Sequence, residues 1–363
     1  MLHVSQVAEY GGLTNCVADY VRLQVQQGWH VTVACPPGDL QGLAAAAGAE
    51  VVSWQAARDP GPSVAREVLA LRRLVAAAAP GVVHLHSSKA GLVGRLVLRG
   101  RLPTVFSPHS WSFHAVGGAL RRAVVAWERA AARWTGVTVC VSEEERAEGV
   151  AAGVRGRYEV IPNAVDVAGL VHAGLDRTRA REDLHLDPAA PTAVCVGRLC
   201  RQKGQDVLLS AWGEVLEQVP DARLHLLGDG PDEAEVARAA AGLDHVALAG
   251  AVPRDVALAY MVASDLVVLP SRWEGMSLAL LEARALGTYV VSTDVAGARE
   301  GLAEGGGQVV PTEDPQALAA ALVTALRQRP ASDAPPPVPE DGDRLRDNVD
   351  ALTRVYRELR TGR

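Results

Sequence analysis

The sequence lacks several features that would assign it to other classes of protein. It contains no run of about 18 apolar residues, so no membrane-spanning helix is predicted. Its five cysteines are odd in number and include no Cys-x-x-Cys pair, which makes a zinc site improbable and favours a reduced, cytoplasmic protein. The first residues enter a strand-like segment with no basic region ahead of an apolar one, so we expect no export signal.

A strong overall charge is also absent. The formal net charge is −6, which argues against a general nucleic-acid binder. The balance reverses in residues 89–134, where eight basic residues accompany one acid, Glu128. This basic region predicts either peripheral contact with an anionic membrane at its inner face or an arginine-rich face that is simply solvated. The eight are Lys89, Arg95, Arg99, Arg101, Arg121, Arg122, Arg129 and Arg133.

Strand-like and helix-like segments alternate along all 363 residues. This alternation predicts the α/β class, with parallel sheets covered by helices. A proline turn in YEVIPNAVD separates two halves, and the proline-rich residues 331–343 precede a last segment with helical spacing of apolar residues. We therefore predict two Rossmann-like, doubly wound domains, residues 1–160 and 161–343, facing across a cleft, and a terminal helix over residues 344–363.

Two glutamates stand out in SRWEGMSLALLEARALG. Glu274 follows an apolar strand and a turn, and Glu282 lies within the helix predicted for residues 277–285. A strand–loop–helix junction presents backbone N–H groups to a phosphate, and carboxylates accept hydrogen bonds from sugar hydroxyls. The arrangement suits a nucleotide sugar. Two unrelated acids at this spacing are the alternative, and the pair alone does not exclude it.

Further candidates also follow predicted strands. Gly11 and Gly12 open the first helix, where the backbone can approach a ligand closely, although such turns also occur without one. Arg198 and Lys203 share a loop and suit a diphosphate, the alternative being an ordinary solvated loop. His109 is expected either to bind a sugar hydroxyl or accept a proton, or to be a buried histidine satisfied by a carbonyl group. We also expect Lys89 to face the cleft.

No metal site is predicted. Sugar-nucleotide enzymes often hold a divalent ion with an Asp-x-Asp pair at the end of a strand. Here the pair Asp341-Gly342-Asp343 falls in the proline-rich segment, which is no preformed cage of oxygen ligands. Arg198 and Lys203 would neutralise a diphosphate instead, so we expect neither a metal nor another cofactor.

Taken together, these motifs resemble those of the family-4 retaining glycosyltransferases, which have the GT-B fold. The similarity runs through YGGLTNCVADYV, VVHLHSSKAG, SPHSWSF, VIPNAVD, VGRLCRQKGQDVLLSAW, LLGDGP, the E-x(7)-E segment and TDVAGARE. Met276, and Ser110 after His109, depart from residues common in similar sequences, which leaves the sugar preference open.

The resemblance implies a role for each candidate. Arg198 and Lys203 would bind the donor diphosphate, and Glu274 the transferred sugar. Glu282 would bind the ribose, and His109 would lie beside the donor sugar. Gly11 and Gly12 would line the diphosphate, and Gly275, Met276, Ser277 and Leu278 would assist through their backbone. The terminal helix would return to the first domain.

The implied activity is transfer of a sugar from a nucleotide-diphosphate sugar, such as a UDP- or GDP-sugar, to a hydroxyl acceptor. The acceptor would be a cell-envelope glycan, a lipid-linked molecule or a natural product. Two alternatives remain open at this point. One is a sugar-nucleotide epimerase on the same fold, and the other is a non-catalytic protein that binds sugar nucleotides.

Overall fold

The chain divides into two compact units. The computed structural model describes residues 1–9, 11–166, 176–328 and 344–362. Unit 1 comprises Met1–Ala164 and Leu345–Arg363, and unit 2 comprises Val165–Arg344. The divisions thus fall at 164/165 and 344/345, against the predicted 160/161 and 343/344. The predicted proline-rich segment and its Asp341-Gly342-Asp343 pair lie outside the described residues.

Unit 1 is built on a seven-stranded parallel sheet with the order β3-β2-β1-β4-β5-β6-β7. The strand order reverses between β1 and β4, which pair directly. The strands are β1 (Leu2–Ser5), β2 (Thr32–Cys35), β3 (Glu50–Ser53), β4 (Val83–His86), β5 (Thr104–Ser107), β6 (Val137–Cys140) and β7 (Tyr158–Val160).

Helices connect these strands, as parallel pairing requires. They are α1 (Gly12–Gln26), α2 (Asp39–Ala46), α3 (Val64–Ala78), α4 (Ser87–Leu98), α5 (Gly118–Ala131) and α6 (Glu143–Ala151). Helix α6 begins at Ser142, whose side-chain oxygen accepts a hydrogen bond from the Glu145 backbone N–H, as the Ser-Glu-Glu-Glu sequence predicts.

Unit 2 repeats the plan with six parallel strands in the order β10-β9-β8-β11-β12-β13. The order reverses between β8 and β11. The strands are β8 (Thr192–Val196), β9 (Arg223–Leu227), β10 (Val246–Gly250), β11 (Leu266–Leu269), β12 (Tyr289–Thr293) and β13 (Gly307–Val310).

Helices again connect the strands of unit 2, and the helix predicted for residues 277–285 spans Leu278–Ala285. The helices are α7 (Arg177–Asp183), α8 (Gln205–Gln218), α9 (Glu233–Ala240), α10 (Arg254–Ala263), α11 (Leu278–Ala285), α12 (Ala298–Gly301) and α13 (Pro315–Arg327). The last helix of the chain, α14 (Arg344–Thr361), belongs almost entirely to unit 1. Its apolar stripe is buried there, and Tyr356 donates or accepts a hydrogen bond at His84 Nδ1.

Burial distinguishes the central strands of each sheet from the strands β3 and β13 at the sheet edges. The central strands β1, β4, β5 and β11 are buried throughout. Strand β11 is wholly apolar, whereas β1, β4 and β5 each combine two apolar residues with two histidine, serine or threonine residues. Strands β3 and β13 are edge strands with exposed positions, and their sequences carry no comparable signal. Four of the five cysteines are buried and all are free, in agreement with their predicted role as small apolar groups. None of the helices in the described residues is both long enough and apolar enough to cross a membrane.

Candidate functional site

In unit 2, the predicted residues gather where the strand order reverses. Strands β8 and β11 are neighbours there, and ligands of doubly wound sheets bind at the carboxyl ends of such a pair. The loop after β8 carries Arg198 and Lys203, and the loop after β11 carries Glu274. Glu274 therefore lies at the same edge of the sheet as Arg198 and Lys203, which precede it by more than 70 positions in the sequence.

Lys203 and Glu274 contact each other directly. The Lys203 ammonium donates a hydrogen bond to Glu274 Oε1, which also accepts one from Ser271 Oγ at 2.8 Å. Glu274 is buried, whereas the Lys203 side chain is 24% exposed. Burial acts to lower the pKa of Lys203, but the Glu274 carboxylate beside it raises this pKa above the ordinary value. Lys203 therefore remains a cation.

Close backbone packing fixes these two loops against each other. Gly204 has a φ of +68°, and a Cβ atom on it would lie 2.1 Å from the carbonyl oxygen of Pro270. Thr293 Oγ1, at the end of β12, donates to the Ser271 carbonyl at 2.5 Å. A side chain at position 204 would push the Lys203 loop away from the loop that carries Glu274.

The segment after Glu274 leads into helix α11. Ser277 lies at the N-cap position of this helix, and Met276 is buried. The TDVAGARE segment closes over it: Gly297 has a φ of +76°, and a Cβ atom there would lie 2.6 Å from the carbonyl oxygen of Gly275. The first-turn N–H groups of a helix have no partners within the helix, so the backbone at Ser277 and Leu278 can bind an anion.

Glu282 lies one turn farther along α11 and is buried. Its Oε1 atom accepts hydrogen bonds from the Arg254 guanidinium at 2.8 Å and 2.7 Å. Arg254 is the first residue of α10, and sequence reasoning did not single it out. No pattern in the sequence pointed to it, because its partner comes from another helix.

Arg198 is half-buried in the loop directly after β8. Its backbone carbonyl accepts a hydrogen bond from the Gln205 side-chain amide at 3.0 Å, which ties the start of the loop to the helix after it. Within the described residues, the Arg198 guanidinium has no hydrogen-bond or ion-pair partner. Its charge is thus available to a ligand at this edge of the sheet.

In unit 1, the glycine turn follows β1 at the corresponding position. Gly11 is the N-cap residue of α1 with a φ of +153°, a conformation that favours glycine, and Gly12 is the first helical residue. Apart from its chain neighbours, no atom of the described residues lies within 4 Å of a Cβ atom built on Gly11. The turn has the backbone freedom and the room that the prediction requires.

His109 follows β5 and occupies a strained turn. Its φ is +54° and that of Ser110 is +103°, both in the left-handed region. The buried carboxylate of Glu145 stabilises this turn by accepting hydrogen bonds from the backbone N–H groups of Ser110 at 2.6 Å and Val141 at 2.7 Å. This conformation would cost glycine less than it costs Ser110.

The sequence identified Glu145 as part of a capping box, which correctly gives its place at the start of α6. Its carboxylate, however, bonds the His109–Ser110 turn, and this contact depends on tertiary structure. Burial raises the pKa of Glu145 to about 7. Glu145 is therefore a supporting residue that sequence reasoning missed.

One alternative was that a backbone carbonyl satisfies His109, but within the described residues its bonded partner is another histidine. The His109 Nε2 atom lies 3.2 Å from His86 Nδ1. His86 in turn contacts His3, and His84 lies against His86 with ring centroids 3.9 Å apart. Burial lowers the pKa of His109 and that of His3 to about 4, so both rings are neutral near pH 7.

The expectation that Lys89 faces the cleft is wrong. Lys89 lies in α4, is buried, and donates to Glu67 Oε1 and the Asp59 carbonyl, each at 2.8 Å. The strand before it ends at His86, so Lys89 is a helical residue whose side chain points toward α3. Arg95 of the basic region is likewise buried, 2.8 Å from Glu128.

Comparisons with known proteins identify the family of the chain. Residues 10–168 match the family model described as Glycosyltransferase Family 4, and residues 190–328 match that of Glycosyl transferases group 1. The chain is 31% identical over 204 residues to the lipopolysaccharide core biosynthesis mannosyltransferase LpsB of Rhizobium meliloti, covering 49% of this chain and 55% of that protein.

A second relative is named for a reaction on a glycolipid. It is the GDP-mannose-dependent alpha-(1-6)-phosphatidylinositol monomannoside mannosyltransferase of Mycolicibacterium smegmatis, 32% identical over 183 residues, with 47% of this chain and 48% of that protein covered. The chain thus spans about half the length of these two curated relatives.

Solved structures share the fold over nearly the whole chain. Sucrose-phosphate synthase from Thermosynechococcus elongatus superposes with a TM-score of 0.77 at 23% identity, covering 100% of this chain and 99% of that one. Anabaena HepE in complex with UDP-glucose gives a TM-score of 0.73 at 21% identity, with 99% and 98% covered. The two α/β units are those of the GT-B fold, and the chain belongs to the group 1, family 4 glycosyltransferases.

Proposed function

We propose that this protein is a retaining glycosyltransferase that moves a sugar from a UDP- or GDP-sugar to a hydroxyl group without a metal ion. The observation that carries the proposal is the contact of Lys203 with Glu274 between the loops after β8 and β11, with Arg198 in the first of these loops. A cation pair and a carboxylate at this edge match a diphosphate joined to a sugar.

Each residue has a distinct part in the reaction. Arg198, Lys203 and the N-terminus of α11 at Ser277 would stabilise the charge that grows on the departing diphosphate. Glu274 would accept a hydrogen bond from a hydroxyl of the transferred sugar. Glu282 would anchor the ribose, sharing its carboxylate with Arg254.

The stereochemistry follows from front-face attack. The bond from the anomeric carbon to the diphosphate oxygen breaks, and the acceptor oxygen forms its new bond on the same face. The acceptor proton passes to an oxygen of the leaving phosphate, so no base on the protein is required. Glu274 is occupied by Lys203 and Ser271, an arrangement that suits a hydrogen-bonding group rather than a nucleophile.

The names and bound ligands of similar proteins favour certain donors and acceptors. One is named for its use of GDP-mannose, and HepE was crystallised with UDP-glucose. The names of the relatives above refer to a phosphatidylinositol monomannoside and to lipopolysaccharide core biosynthesis, so a cell-envelope or lipid-linked acceptor is favoured over a soluble natural product.

A panel of UDP-, GDP-, ADP- and TDP-sugars should identify the donor by thermal shift. A ligand at 100 times its dissociation constant stabilises the folded protein by about 2.7 kcal/mol, so one nucleotide should raise the melting temperature clearly above the others. With that donor and an acceptor, the product should retain the anomeric configuration, and EDTA should not change turnover. Isomerised sugar from the donor alone would instead show an epimerase, and binding without any turnover would show a non-catalytic protein.

Glu282→Ala should weaken binding of the free nucleoside diphosphate by about 10- to 150-fold. The reason is that a hydrogen bond to a charged group contributes about 1.5–3 kcal/mol. Isothermal titration calorimetry measures this change, with Glu217→Ala, an exposed glutamate on α8, as the matched control. Unchanged affinity in folded Glu282→Ala would contradict the ribose assignment.

We also propose peripheral membrane contact through α5 and the residues after it. With Lys89 and Arg95 buried in ion pairs, six of the eight basic residues of the basic region are exposed. Arg121 and Arg122 lie on α5 directly after Leu120, which is 59% exposed. Exposed arginines around an apolar side chain suit the headgroup region of an anionic bilayer.

Flotation with liposomes should therefore depend on anionic lipid. Each arginine near the surface contributes about 1 kcal/mol, so the double variant Arg121→Gln, Arg122→Gln should reduce partitioning roughly 30-fold. The matched control replaces Arg179 and Arg238, two exposed arginines of unit 2, by glutamine. Equal flotation of all three proteins would leave the arginine-rich face as a solvated surface.

A further inference from the structure

Unit 1 contains a continuous row of hydrogen bonds that leads from helix α1 to His109. Gln24 Oε1, buried in α1, lies 2.8 Å from His3 Nε2. His3 Nδ1 lies 2.9 Å from His86 Nε2, and His86 Nδ1 lies 3.2 Å from His109 Nε2. We call these four side chains the histidine row. Its members come from α1, β1, β4 and the loop after β5, so it crosses the point where the strand order of unit 1 reverses.

The chemistry at one end of the row determines the proton positions along it. An amide oxygen only accepts hydrogen bonds, so His3 must carry its proton on Nε2. A neutral His3 then has a lone pair on Nδ1, which can only accept the proton of His86 Nε2. His86, with its proton on Nε2, has a lone pair on Nδ1. This nitrogen accepts a hydrogen bond from His109 Nε2, so His109 keeps a lone pair on its own Nδ1.

We propose that Gln24 is a positioning residue that, through His3 and His86, fixes His109 as the Nε2–H tautomer and leaves His109 Nδ1 as a hydrogen-bond acceptor. Within the described residues, Nδ1 has no protein partner, and the His109 side chain is half-buried rather than enclosed. A sugar or acceptor hydroxyl would be the donor to this nitrogen. That last step rests on the proposed function, whereas the tautomer does not.

The surroundings keep the row neutral. His84 packs against both His3 and His86, and its own nitrogens lie 2.6 Å from the Tyr356 hydroxyl and 2.8 Å from Ser107 Oγ. The groups that face the row are therefore imidazoles, hydroxyls and an amide. A proton added to His3 or His86 would leave two donors facing each other in a buried site, which reverses or breaks the row.

A metal ion is the competing occupant of the same place. Nitrogens of His3, His84 and His86 lie within 4.8 Å of one another. Each of these rings, however, already uses both nitrogens in the hydrogen bonds given above. A bound ion would have to displace the His3–His86 bond, and it would disconnect Gln24 from His109.

Nitrogen-15 NMR of protein labelled at histidine tests the proposal directly, because protonated and unprotonated ring nitrogens resonate far apart. The ten histidines can be assigned with single histidine-to-glutamine variants. In the wild-type protein at pH 7.5, His3, His86 and His109 should all be Nε2–H tautomers. Protonated Nδ1 in all three would show a row of reversed direction and would overturn the proposal.

Gln24→Met removes the accepting oxygen at nearly constant volume, and the control Gln26→Met changes an exposed glutamine of the same helix. The first variant should shift His109 toward a mixture of tautomers, and the control should not. A His109 tautomer unchanged in folded Gln24→Met would overturn the positioning role.

Two further measurements separate the proposal from its rivals. In wild-type protein, Zn²⁺ should neither bind at one equivalent nor alter the ring signals, and stoichiometric binding with shifts at His3, His84 and His86 would replace the row by a metal site. In the transfer assay, Gln24→Met should lower kcat/KM about 2- to 10-fold, the loss of one neutral hydrogen bond, and Gln26→Met should not. Absence of transferase activity in all proteins would refute the proposed function while leaving the tautomer result intact.

Discussion

Replacing Lys203 by methionine should lower kcat for sugar transfer by about 100- to 1000-fold, the effect typical of removing one group that stabilises developing charge. The ammonium of Lys203 is held protonated by Glu274 at the edge of the unit 2 sheet, where the proposed diphosphate leaves. Binding of the donor should weaken less than kcat falls, because the charge on the bridging oxygen grows as the bond to the sugar breaks. Steady-state kinetics with the donor found in the panel measures both.

The experiment on Lys203→Met must distinguish a loss of catalysis from a loss of stability. Lys203→Met leaves the buried Glu274 carboxylate without its cation, which costs stability. The double variant Lys203→Met, Glu274→Gln removes both charges, so stability should recover while transfer stays abolished. Arg238→Gln, a change at an exposed arginine on α9, serves as the activity control. Wild-type turnover in folded Lys203→Met would refute the site.

Glu274→Ala should abolish transfer for a different reason, because it removes the sugar contact and the partner of Lys203 together. Intact-mass measurements during turnover should find no glycosyl group on the wild-type protein. A covalent adduct at Glu274 would mean that this residue is a nucleophile, and front-face attack would then be wrong.

Acidification should destabilise unit 1 steeply between about pH 6.5 and pH 4. Burial lowers the pKa values of His3, His84, His86 and His109, and the charges of neighbouring rings lower those of His84 and His86 further. In the unfolded chain, histidine titrates near pH 6.5. Below that pH the unfolded chain takes up protons that the folded unit excludes, so stability present above pH 6.5 is lost as the pH falls toward the folded pKa.

The magnitude is large because the four histidines act in the same direction. For His3 and His109, a folded pKa of about 4 corresponds to about 3 kcal/mol each by pH 4. Glu145 opposes them: its pKa of about 7 lies above the unfolded value, so its contribution favours folding as the pH falls below 7. The histidines outweigh this single carboxyl group.

Urea unfolding at several pH values, combined with amide hydrogen exchange read by mass spectrometry, reports peptides of the two units separately. Unit 1 should lose protection between pH 6.5 and pH 4. His84→Gln should reduce the pH dependence by about one proton, whereas His30→Gln, a change at an exposed histidine, should not. Constant stability of unit 1 over this range would show that the four rings accept protons in the folded state.

Local sequence was sufficient for most elements and for the candidate residues. Alternating short apolar runs and amphipathic segments predict the two parallel sheets, because buried parallel strands must be apolar on both faces. Glycines with positive φ mark the turns at Gly11 and Gly204, and the E-x(7)-E spacing places Glu282 within α11. The edge strands β3 and β13 are partly exposed, so this constraint does not apply along their whole length.

Pairing between distant side chains could not be predicted in the same way. Lys89 and Lys203 have the same charge, and each lies near the point where a loop leads into a helix. Lys89, however, is buried in an ion pair with Glu67 of α3. Arg254 and Gln24 carried no signal, since their partners come from other elements. Two of the eight basic residues of the basic region, Lys89 and Arg95, likewise form ion pairs with buried acids.

By itself, the sequence determined the α/β class, the family and the identity of the residues at the strand ends. Hydrophobic periodicity and backbone conformation are local properties, so they can be seen along the chain. Tertiary structure alone decided that Lys203 is bound to Glu274, that Arg254 shares Glu282, and that His109 ends a row of buried imidazoles. Hydrogen bonds and ion pairs depend on distances of a few ångströms between separate elements, and those distances exist only once the sheets have folded.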